Sequence, residues 1–463
     1  MKKAFSLILV AALLISLCAC GAEAQSGASP TAAGGLQVGF SKVCITPKAP
    51  VALSSTNQAT YTAVHEDVYL TCVAITDAED NTILMFTVDV SYTNASNQQN
   101  LIELASKTTG VPEGNISYSC THNHSGLDPS GTVITLLKNA IKESSAAAMA
   151  DRAPATLEIG TAYPEGFNFV RHYQTADGHW VGDNYYSPTG SKAAISERKA
   201  DNAMQLMHFV REGKENVLLI NWQAHGTYTY KMEHLCTDFV GSLRDEVSAK
   251  TGALVAYFQG AAGNLNPWSN LGDNKFEHSL EGVLDYGKAL AQAPIEAMSG
   301  LKPVDASCIR ITDTVYTGQV RRDSNDLVLA AAAYRQVRES GGTHPEAVVA
   351  ADGLIHGDQG AEYVSHRSRR AGTIDIEIRA VRLGDVAFVI APYEMFDDTG
   401  LYIKENSPFE MTFLLCYTNG RNGYVPSAKC IAHGCYEFEG SYFEPGTAEA
   451  LADSYLSLLN NLK

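Results

Sequence analysis

The hydrophobic and polar positions of this chain change repeatedly between two periods. Alternation at every second residue is typical of strands, and apolar spacing of three and four residues is typical of helices. Strand patterns occupy 36–47, 68–90, 114–120, 215–227, 253–267, 373–398 and 410–427, and 68–90 and 373–398 each contain two strands around a turn. Helix patterns occupy 96–110, 132–150, 234–252, 278–298, 323–340, 344–368 and 448–462. The pattern predicts an α/β fold with a mixed β-sheet core, built as two packed sheets and flanked by α-helices.

Five of the predicted apolar strands end in a cluster of polar residues. The clusters are THNHSG (121–126), NWQAHGT (221–227), QGAAGNLNP (259–267), APYEMFDD (391–398) and YTNGRNGY (417–424). In open α/β sheets, ligands bind just outside the carboxyl ends of strands. We therefore expect an active site at these ends. The stretch 160–190, rich in glycine, asparagine, aspartate and aromatic residues, is interpreted as long loops near that site.

The N-terminus has the pattern of a bacterial export signal. Two lysines precede the apolar run Ala4–Leu17, which is too short to span a bilayer and is typical of a signal peptide. The run ends in LCAC, which resembles a lipobox and implies lipidation of Cys20; an ordinary secretory signal cut slightly later is the alternative. The expected segments are a signal peptide (1–19), a lipidated flexible tether (20–35) and one folded domain (36–463). The domain would then be anchored at the bacterial cell surface.

The charge composition argues against nucleic acid as a binding partner. The net charge is −17, from 34 basic and 51 acidic residues, and no basic stripe appears, so we do not expect nucleic acid to bind. No feature implies a protein partner. The ten cysteines are spread without paired CxxC spacings, which argues against a zinc-finger type of site. We expect most of them to be buried thiols, and Cys430 with Cys435 is the local pair best placed for a disulfide.

Histidines in the strand-end clusters are candidate metal ligands. If the strand before them continued, His122 and His124 would point to the same face. His225 could supply another nitrogen and Glu394 an oxygen, and a catalytic zinc needs about three protein ligands plus an open position. Zinc held in this way lowers the pKa of its water to about 7. Each residue alone has a structural alternative, such as a carboxylate favoured by a helix N-terminus, and only their coincidence at strand ends favours a metal.

The same clusters resemble motifs of the neutral (non-lysosomal) ceramidases. THNHSG is similar to their THTHSG-type motif, NWQAHGT to their second histidine motif, and APYEMF to their P-x-E segment. QGAAGNLNP resembles their glycine turn, and NGYVPS with YEFEGSYF resembles their Tyr-Val and Tyr-Glu-Gly segments. The motifs occur in the family's order across nearly the whole predicted domain. The resemblance is to the N-terminal catalytic domain of that family.

This resemblance implies roles for individual residues. The residues that match the family's zinc ligands are His122, His225, Glu394 and Tyr424. The residues that match other site positions are His124 as a neighbour of the metal, Tyr436 as a transition-state hydrogen-bond donor, and Arg171 as a contact to the substrate head group. The implied reaction is hydrolysis of the ceramide amide to a fatty acid and a sphingoid base, with zinc activating the water and Tyr and His donors stabilising the oxyanion.

Two departures from the family pattern affect this expectation. Asn266 stands where the family has a serine, and Asn264 where it has an aspartate. A serine nucleophile at position 266 is therefore excluded, whereas Asn266 can still donate a hydrogen bond to an oxyanion. We also expect the smaller C-terminal β-sandwich domain of larger members to be absent, so that the lipid on Cys20 would hold the enzyme at the membrane instead.

Two further functions are compatible with the sequence. The changes at Asn264 and Asn266 would suit a metallohydrolase that acts on another amide or on an ester. A surface lipoprotein that binds a ligand without turnover is the third possibility. The combined histidine, glutamate and tyrosine set argues against the last one, because a binding protein does not need an open position on a zinc ion.

Overall fold

The computed structural model describes residues 35–54, 60–178, 180–182, 193–272, 274–342, 347–350, 353–370, 372–433 and 436–463. The predicted signal peptide, Cys20 and almost all of the tether lie outside these residues, as does Cys435. The strands, in chain order, are β1 (Gln37–Cys44), β2 (Ala63–Val64), β3 (Tyr69–Thr76), β4 (Thr82–Val88), β5 (Ile116–Cys120), β6 (Ala153–Ala162), β7 (Phe169–Val170), β8 (His172–Thr175), β9 (Trp180–Gly182), β10 (Ala193–Ser196), β11 (Met204–Arg211), β12 (Val217–Trp222), β13 (His234–Leu235), β14 (Leu254–Gln259), β15 (Leu265–Asn266), β16 (Lys302–Val304), β17 (Ile309–Gln319), β18 (Ala347–Ala350), β19 (Gly353–His356), β20 (Thr373–Leu383), β21 (Val386–Ile390), β22 (Glu394–Met395), β23 (Met411–Leu415) and β24 (Tyr424–Val425). The α-helices are α1 (Ala95–Thr109), α2 (Gly131–Ala150), α3 (Phe239–Thr251), α4 (Leu280–Leu290), α5 (Gln292–Ala297), α6 (Asn325–Glu339), α7 (Gly357–Ser368), α8 (Asp397–Asn406), α9 (Ala428–Ile431), α10 (Tyr436–Gly440) and α11 (Thr447–Leu462).

Two β-sheets form the centre of the fold. Among the described residues, the larger sheet has nine strands, in the order β14-β12-β11-β6-β1-β3-β4-β5 with β16 paired to β6. Its β12–β14 and β4–β5 pairs are parallel, whereas β1–β3 and β3–β4 are antiparallel. The smaller sheet has the order β17-β20-β21-β23, and its β21–β23 pair is parallel. The predicted α/β class with a mixed sheet core is confirmed.

The sheets pack against each other, and helices cover their outer faces. Val73 of β3, Leu219 of β12 and Phe388 of β21 belong to one buried cluster between the sheets. Successive residues of a strand point to opposite faces, so Leu70 of β3 packs instead with α1 and α2, and Ile220 of β12 packs with α3 and α4. Helix α11 packs on β17 and β20 of the smaller sheet. The result is a helix–sheet–sheet–helix arrangement with three buried apolar layers.

Local sequence signals explain the helix ends well. At the start of α1, Asn94 Oδ1 accepts a hydrogen bond from the Asn97 N–H at 2.9 Å, which satisfies one of the free donors of the first turn. Gly110 ends the helix with a φ of 79°, a left-handed conformation that glycine adopts without steric cost. The predicted helix 96–110 therefore agrees with the observed one to within a residue or two.

Two sequence interpretations are wrong in part. Within 160–190, the described residues form β7, β8 and β9 as well as loops, because β8 pairs with both β9 and β10 in a small sheet of their own. The predicted helix 344–368 begins only at Gly357, and the described residues before it, 347–350 and 353–356, form the hairpin β18–β19. The segments AVVA and GLIH contain β-branched residues that favour a strand. Apolar spacing alone does not distinguish such a strand from a helix.

None of the helices in the described part of the chain has the length and apolar character needed to cross a bilayer. The buried free cysteines are Cys72, Cys120, Cys236, Cys416 and Cys430. Their state agrees with the expectation of buried thiols. A bond between Cys430 and Cys435 is not tested, because Cys435 lies outside the described residues.

A buried ion pair joins α3 to the larger sheet. Arg244 Nη1 and Nη2 donate to the two carboxylate oxygens of Asp89 at 3.0 and 2.7 Å, and the side chains are 2% and 0% exposed. Asp89 directly follows β4 and also accepts from the Tyr69 N–H at 3.0 Å. The pair therefore fixes the end of a central strand against a helix.

We expect Arg244→Leu to lower the free energy of unfolding by about 3–5 kcal/mol, because the Asp89 carboxylate would stay buried without its counter-charge. Urea unfolding followed by circular dichroism measures this change. Lys107→Ala is the control, since it removes only an exposed pair with Glu103 at 3.4 Å and should change the value by less than about 0.5 kcal/mol. Equal effects of the two substitutions would contradict the assignment.

Candidate active site

The strand-end clusters meet at one place in the fold. Main-chain hydrogen bonds link all five of them. The His124 N–H donates to Gly226 O at 2.8 Å, and the His225 N–H donates to Leu265 O at 3.0 Å. The Gly263 N–H donates to Met395 O at 2.8 Å, and the Glu394 N–H donates to Gly423 O at 2.9 Å. Side chains at the carboxyl ends of β5, β12, β14, β21 and β23 are thereby brought together, as the sequence pattern predicted.

Two glycines make this close approach possible. A Cβ at Gly226 would lie 2.8 Å from the carbonyl oxygen of His122, and a Cβ at Gly263 would lie 2.9 Å from that of Glu394. Both distances are too short for a carbon–oxygen contact between backbone and side chain. A larger residue at either position would therefore push apart the segments that carry the histidines and the glutamate.

The loop after β5 turns sharply at His122. The strand ends at Cys120, and His122 has a φ of 59°, in the left-handed region that residues other than glycine rarely adopt. The strand therefore stops before His124. The expectation that both histidines point to one face of a continuing strand is wrong. The turn itself places the two rings together, with 3.2 Å between the Nε2 atoms of His122 and His124.

Three candidate ligands converge on one point. Glu394 Oε2 lies 3.5 Å from His122 Nε2 and 3.4 Å from His225 Nε2. Ring nitrogens of His122, His124 and His225 lie within 4.8 Å of one another and form a group that could hold a metal ion. The side chains of His122, His225 and Glu394 are 5%, 1% and 16% exposed, so that the point of convergence is largely shielded from water.

Main-chain carbonyls set the protonation of two of these rings. His122 Nδ1 lies 2.9 Å from Ser91 O, and His225 Nδ1 lies 2.6 Å from Ala262 O and 3.1 Å from Leu265 O. A carbonyl only accepts, so each Nδ1 carries the hydrogen and each Nε2 presents a lone pair. His225 Nε2 is buried without a hydrogen-bond partner. A histidine that binds a metal commonly holds its other nitrogen in this way.

Burial keeps the three imidazoles uncharged. It lowers the pKa of His225 to about 3, and the positive charge of Arg171 acts in the same direction. It lowers the pKa of His124 to about 3, with a further contribution from His225. Burial also lowers the pKa of His122 well below its ordinary value, although the Glu394 carboxylate opposes this. At neutral pH, therefore, these rings do not supply a positive charge to balance Glu394.

Arg171 connects two other predicted site residues. Its Nη1 donates to Asn266 Oδ1 at 3.3 Å, and its Nη2 donates to the Tyr424 hydroxyl at 3.2 Å and to Gly263 O at 2.8 Å. Its Nε donates to the buried carboxylate of Glu437. Burial alone would raise the pKa of Glu437, but the charge of Arg171 holds it well below its usual value. Arg171 is thus fixed from both sides.

Tyr424 lies beside the converging ligands. It stands directly opposite Glu394 in the parallel pair β22–β24, and its ring stacks on that of His225 with 6.4 Å between centroids. Burial raises the pKa of Tyr424 well above its ordinary value, with Glu394 acting in the same direction and Arg171 against it. Tyr436 begins α10, but its side chain lies outside the described part of the structure, so its role stays a prediction.

Sequence reasoning did not single out two residues of this site. The Tyr417 ring stacks on His122 with 3.9 Å between centroids, and its hydroxyl donates to Glu394 Oε2 at 3.5 Å. Glu437 pairs with Arg171 and with His172. Tyr417 lies in the strand-end cluster YTNGRNGY, and Glu437 lies in the motif segment YEFEG. The sequence of neither segment indicates which of its polar side chains points into the site.

A cavity of about 180 Å³ opens beside the cluster. Its lining combines charged groups with aromatic rings and includes His122, His124, Asp128, Glu394, Arg421, and the tyrosines 92, 363, 393, 417 and 424. His225 lies behind this wall, and Arg171 and Asn266 are also almost fully buried. The arrangement would place a small polar group of a ligand against the three candidate metal ligands.

Asn264 makes a reciprocal contact that explains its residue type. Its Nδ2 donates to Asp397 Oδ1 at 2.7 Å, and its Oδ1 accepts from the Asp397 N–H at 3.0 Å. Both residues are fully buried, and Asp397 is also paired with Arg198. An aspartate at position 264 could accept from the main chain but could not donate to Asp397.

The chain was compared with known families and structures. No protein-family model matches it, and no curated protein matches it. A neutral ceramidase from Pseudomonas aeruginosa has a TM-score of 0.68 at 17% identity, covering 92% of this chain and 74% of that chain. A ceramidase complexed with C2 has a TM-score of 0.67 at 16% identity, covering 92% and 75%. The neutral ceramidase fold that the motifs predicted is confirmed.

We expect Asn264→Asp, which restores the family residue, to lower the free energy of unfolding by about 2–3 kcal/mol at pH 7. Two carboxylates would then face each other at hydrogen-bond distance. One of them would have a folded-state pKa raised above its unfolded value, so the loss should be small below about pH 4 and should grow as the pH rises. Urea unfolding of both proteins from pH 4 to pH 8 measures it.

Asn100→Asp provides the matched control, because Asn100 is exposed on α1. The same change of charge there should leave the stability nearly constant over this pH range. If Asn264→Asp were as stable as the natural chain at pH 7, the reciprocal contact with Asp397 would not constrain this position.

Proposed function

We propose that this protein is a zinc-dependent hydrolase that cleaves the N-acyl amide of ceramide or of a related lipid amide. The observation that carries the proposal is the convergence of two buried imidazole lone pairs on one carboxylate. Nε2 of His122 and of His225 face one carboxylate oxygen of Glu394 at 3.5 and 3.4 Å. A bound cation would balance lone pairs brought this close in a buried place.

The donor types suit zinc. Two imidazole nitrogens, the Glu394 carboxylate and the Tyr424 hydroxyl are the residues that would hold it, and nitrogen and oxygen donors of this kind are common in catalytic zinc sites. When bound, the ion would polarise the amide carbonyl and activate a water molecule. The ceramidase fold of the chain supports the same assignment.

The chain's own residues would then carry the remaining steps. His124 lines the cavity and is uncharged at neutral pH, so its ring can position the attacking water or donate a hydrogen bond to the developing oxyanion. Asn266 holds its Oδ1 towards Arg171, which leaves its NH₂ group as the hydrogen-bonding side available to a developing oxyanion. Tyr436 is proposed as a second donor. Since position 266 has no hydroxyl, the attack comes from water.

The size of the cavity supports a lipid amide that enters only with its polar end. A volume of about 180 Å³ is below the roughly 300 Å³ at which pockets enclose a whole drug-sized ligand. The cavity would therefore take the amide and its neighbouring hydroxyl groups, and the hydrocarbon chains would extend outside it. Arg421 and Asp128 in the lining offer a donor and an acceptor to those hydroxyls.

We also propose that lipidated Cys20 holds the protein at the outer surface of the bacterial membrane. A tether of small polar residues would let the domain reach substrates in the same bilayer. This part of the proposal depends only on the N-terminal sequence.

We expect His225→Ala to lower kcat/KM for ceramide by roughly a thousandfold or more and to remove the zinc held by this site. The loss of one ligand should cost several kcal/mol of transition-state stabilisation. Fatty acid release and metal analysis measure the two effects. His366→Ala removes an exposed histidine of α7 and should leave both values unchanged.

A substrate panel separates the alternatives. Ceramide, N-acyl amino acids and simple esters would be tested with the zinc-loaded protein. Faster turnover of an ester or of another amide would replace ceramide as the substrate, and recovery of every amide intact after long incubation would identify a binding protein. Full hydrolysis by protein without metal would overturn the zinc-dependent proposal.

A further inference from the structure

A second group of ligand-type side chains lies on the far side of Arg171. His172 begins β8, Glu197 directly follows β10, and Cys430 and His433 lie in and just after α9. We propose that His172, Glu197 and Cys430 form a second, structural zinc site, with His172 Nδ1, Glu197 Oε2 and Cys430 Sγ as the ligand atoms and His433 beside them. This site is separate from the candidate active site and does not depend on the function proposed above.

The distances between the donor atoms of His172, Glu197 and Cys430 suit a tetrahedral ion. Zinc lies about 2.0 Å from nitrogen or oxygen and about 2.3 Å from sulfur, so ligand atoms around it are separated by roughly 3.3–3.8 Å. His172 Nδ1 lies 3.3 Å from Glu197 Oε2, Cys430 Sγ lies 3.9 Å from the same oxygen, and His433 Nδ1 lies 3.8 Å from Glu197 Oε1. The atoms of His172, Glu197 and Cys430 all fall within 4.8 Å of one another.

Two of these atoms are buried and lack a hydrogen bond. The Glu197 side chain is 2% exposed, yet its Oε1 has no hydrogen-bond partner, and the same holds for His433 Nδ1. The nearest cation to Glu197 Oε1 is Lys429 Nζ at 3.3 Å, on a side chain that is 61% exposed. A buried carboxylate with an oxygen that lacks a hydrogen bond favours a bound cation close to it.

His172 is held as a metal-binding histidine would be. Its Nε2 lies 3.0 Å from Glu437 Oε2, and the Glu197 N–H donates to the His172 carbonyl at 3.0 Å. With Nε2 donating to a carboxylate, Nδ1 is the atom left to bind an ion, which is the carboxylate–histidine–metal arrangement. Burial lowers the pKa of His172, but Glu437 and Glu197 raise it well above its ordinary value, so an ion would have to displace a proton from Nδ1.

Local structure positions the side chains of Cys430 and His433. Cys430 and His433 are three residues apart, a spacing that places side chains on the same side of a helical turn. The His433 ring stacks on Trp180 of β9, with 3.9 Å between centroids and 10° between planes. Cys430 is a buried free thiol, and its thiolate with imidazole and carboxylate donors provides the ligand types that zinc prefers.

Such a site would stabilise the wall of the candidate active site. Glu437 contacts His172 on one side and Arg171 on the other, and Arg171 reaches Tyr424 and Asn266. An ion between β8, β10 and α9 would therefore fix the position of Arg171 through Glu437. None of the three ligands lines the cavity of the candidate active site, so the role is structural.

Cobalt substitution tests the site directly, because only this one of the two sites contains a thiolate. The full chain would be stripped of metal and titrated with Co²⁺. We expect two equivalents to bind, with a sulfur-to-cobalt charge-transfer band in the near ultraviolet. His225→Ala should lose one equivalent and keep the band, so a failure of the proposed active site is distinguishable from a failure of this one.

Cys430→Ser should lose one equivalent and the band, and Cys308→Ser, at a partly exposed cysteine elsewhere, should keep both. If Cys430→Ser does not fold, Glu197→Gln should weaken by tenfold or more the cobalt binding that produces the band. A natural chain that binds cobalt without the band, a band that persists in Cys430→Ser, or Cys430 recovered in a disulfide would each overturn the second site.

Discussion

The hydrogen bonds from Nδ1 of His122 and His225 to main-chain carbonyls are the interaction on which the candidate site depends. Because a carbonyl cannot donate, these bonds require the hydrogen on Nδ1 and leave Nε2 as a lone pair. Both lone pairs face Glu394 at 3.5 and 3.4 Å. The backbone around Ser91 and Ala262 therefore defines a place where acceptor atoms collect and where a cation would be favoured. The chemistry proposed for the chain follows from that local excess of acceptors.

The fold supports this arrangement at some conformational cost. His122 and Tyr417 both adopt left-handed backbone angles, with φ values of 59° and 55°, and such residues persist only where the surrounding structure holds them. Here the parallel pairs at the sheet edges and the close approach at Gly226 and Gly263 hold the loops. The two residues with these backbone angles contact each other, because the ring of Tyr417 stacks on the ring of His122.

The sequence predicted the parts of the site that depend on strand ends. Apolar runs that finish in polar clusters located His122, His225 and Glu394, since each lies within a few residues of a strand's last residue. It did not predict the Ser91 carbonyl or the inward position of Glu437, because main-chain partners and side-chain direction in loops depend on tertiary contacts. The hairpin before Gly357 was missed for a related reason, since short apolar runs are compatible with strand and helix alike.

The buried charges around Arg171 and Asp397 bear on the two departures from the ceramidase motif, Asn264 and Asn266. Asp397 is buried with Arg198 as its counter-charge, and Asn264 adds a neutral donor to it. Arg171 is balanced by Glu437, so Asn266 also needs to contribute only a neutral acceptor to that guanidinium. Each buried cation already has a carboxylate, and an additional acid at 264 would have none. Asparagine at position 264 keeps the hydrogen bonds of the glycine turn without adding a buried charge. At position 266 one neutral residue replaces another, so neither change adds a carboxylate beside Glu394.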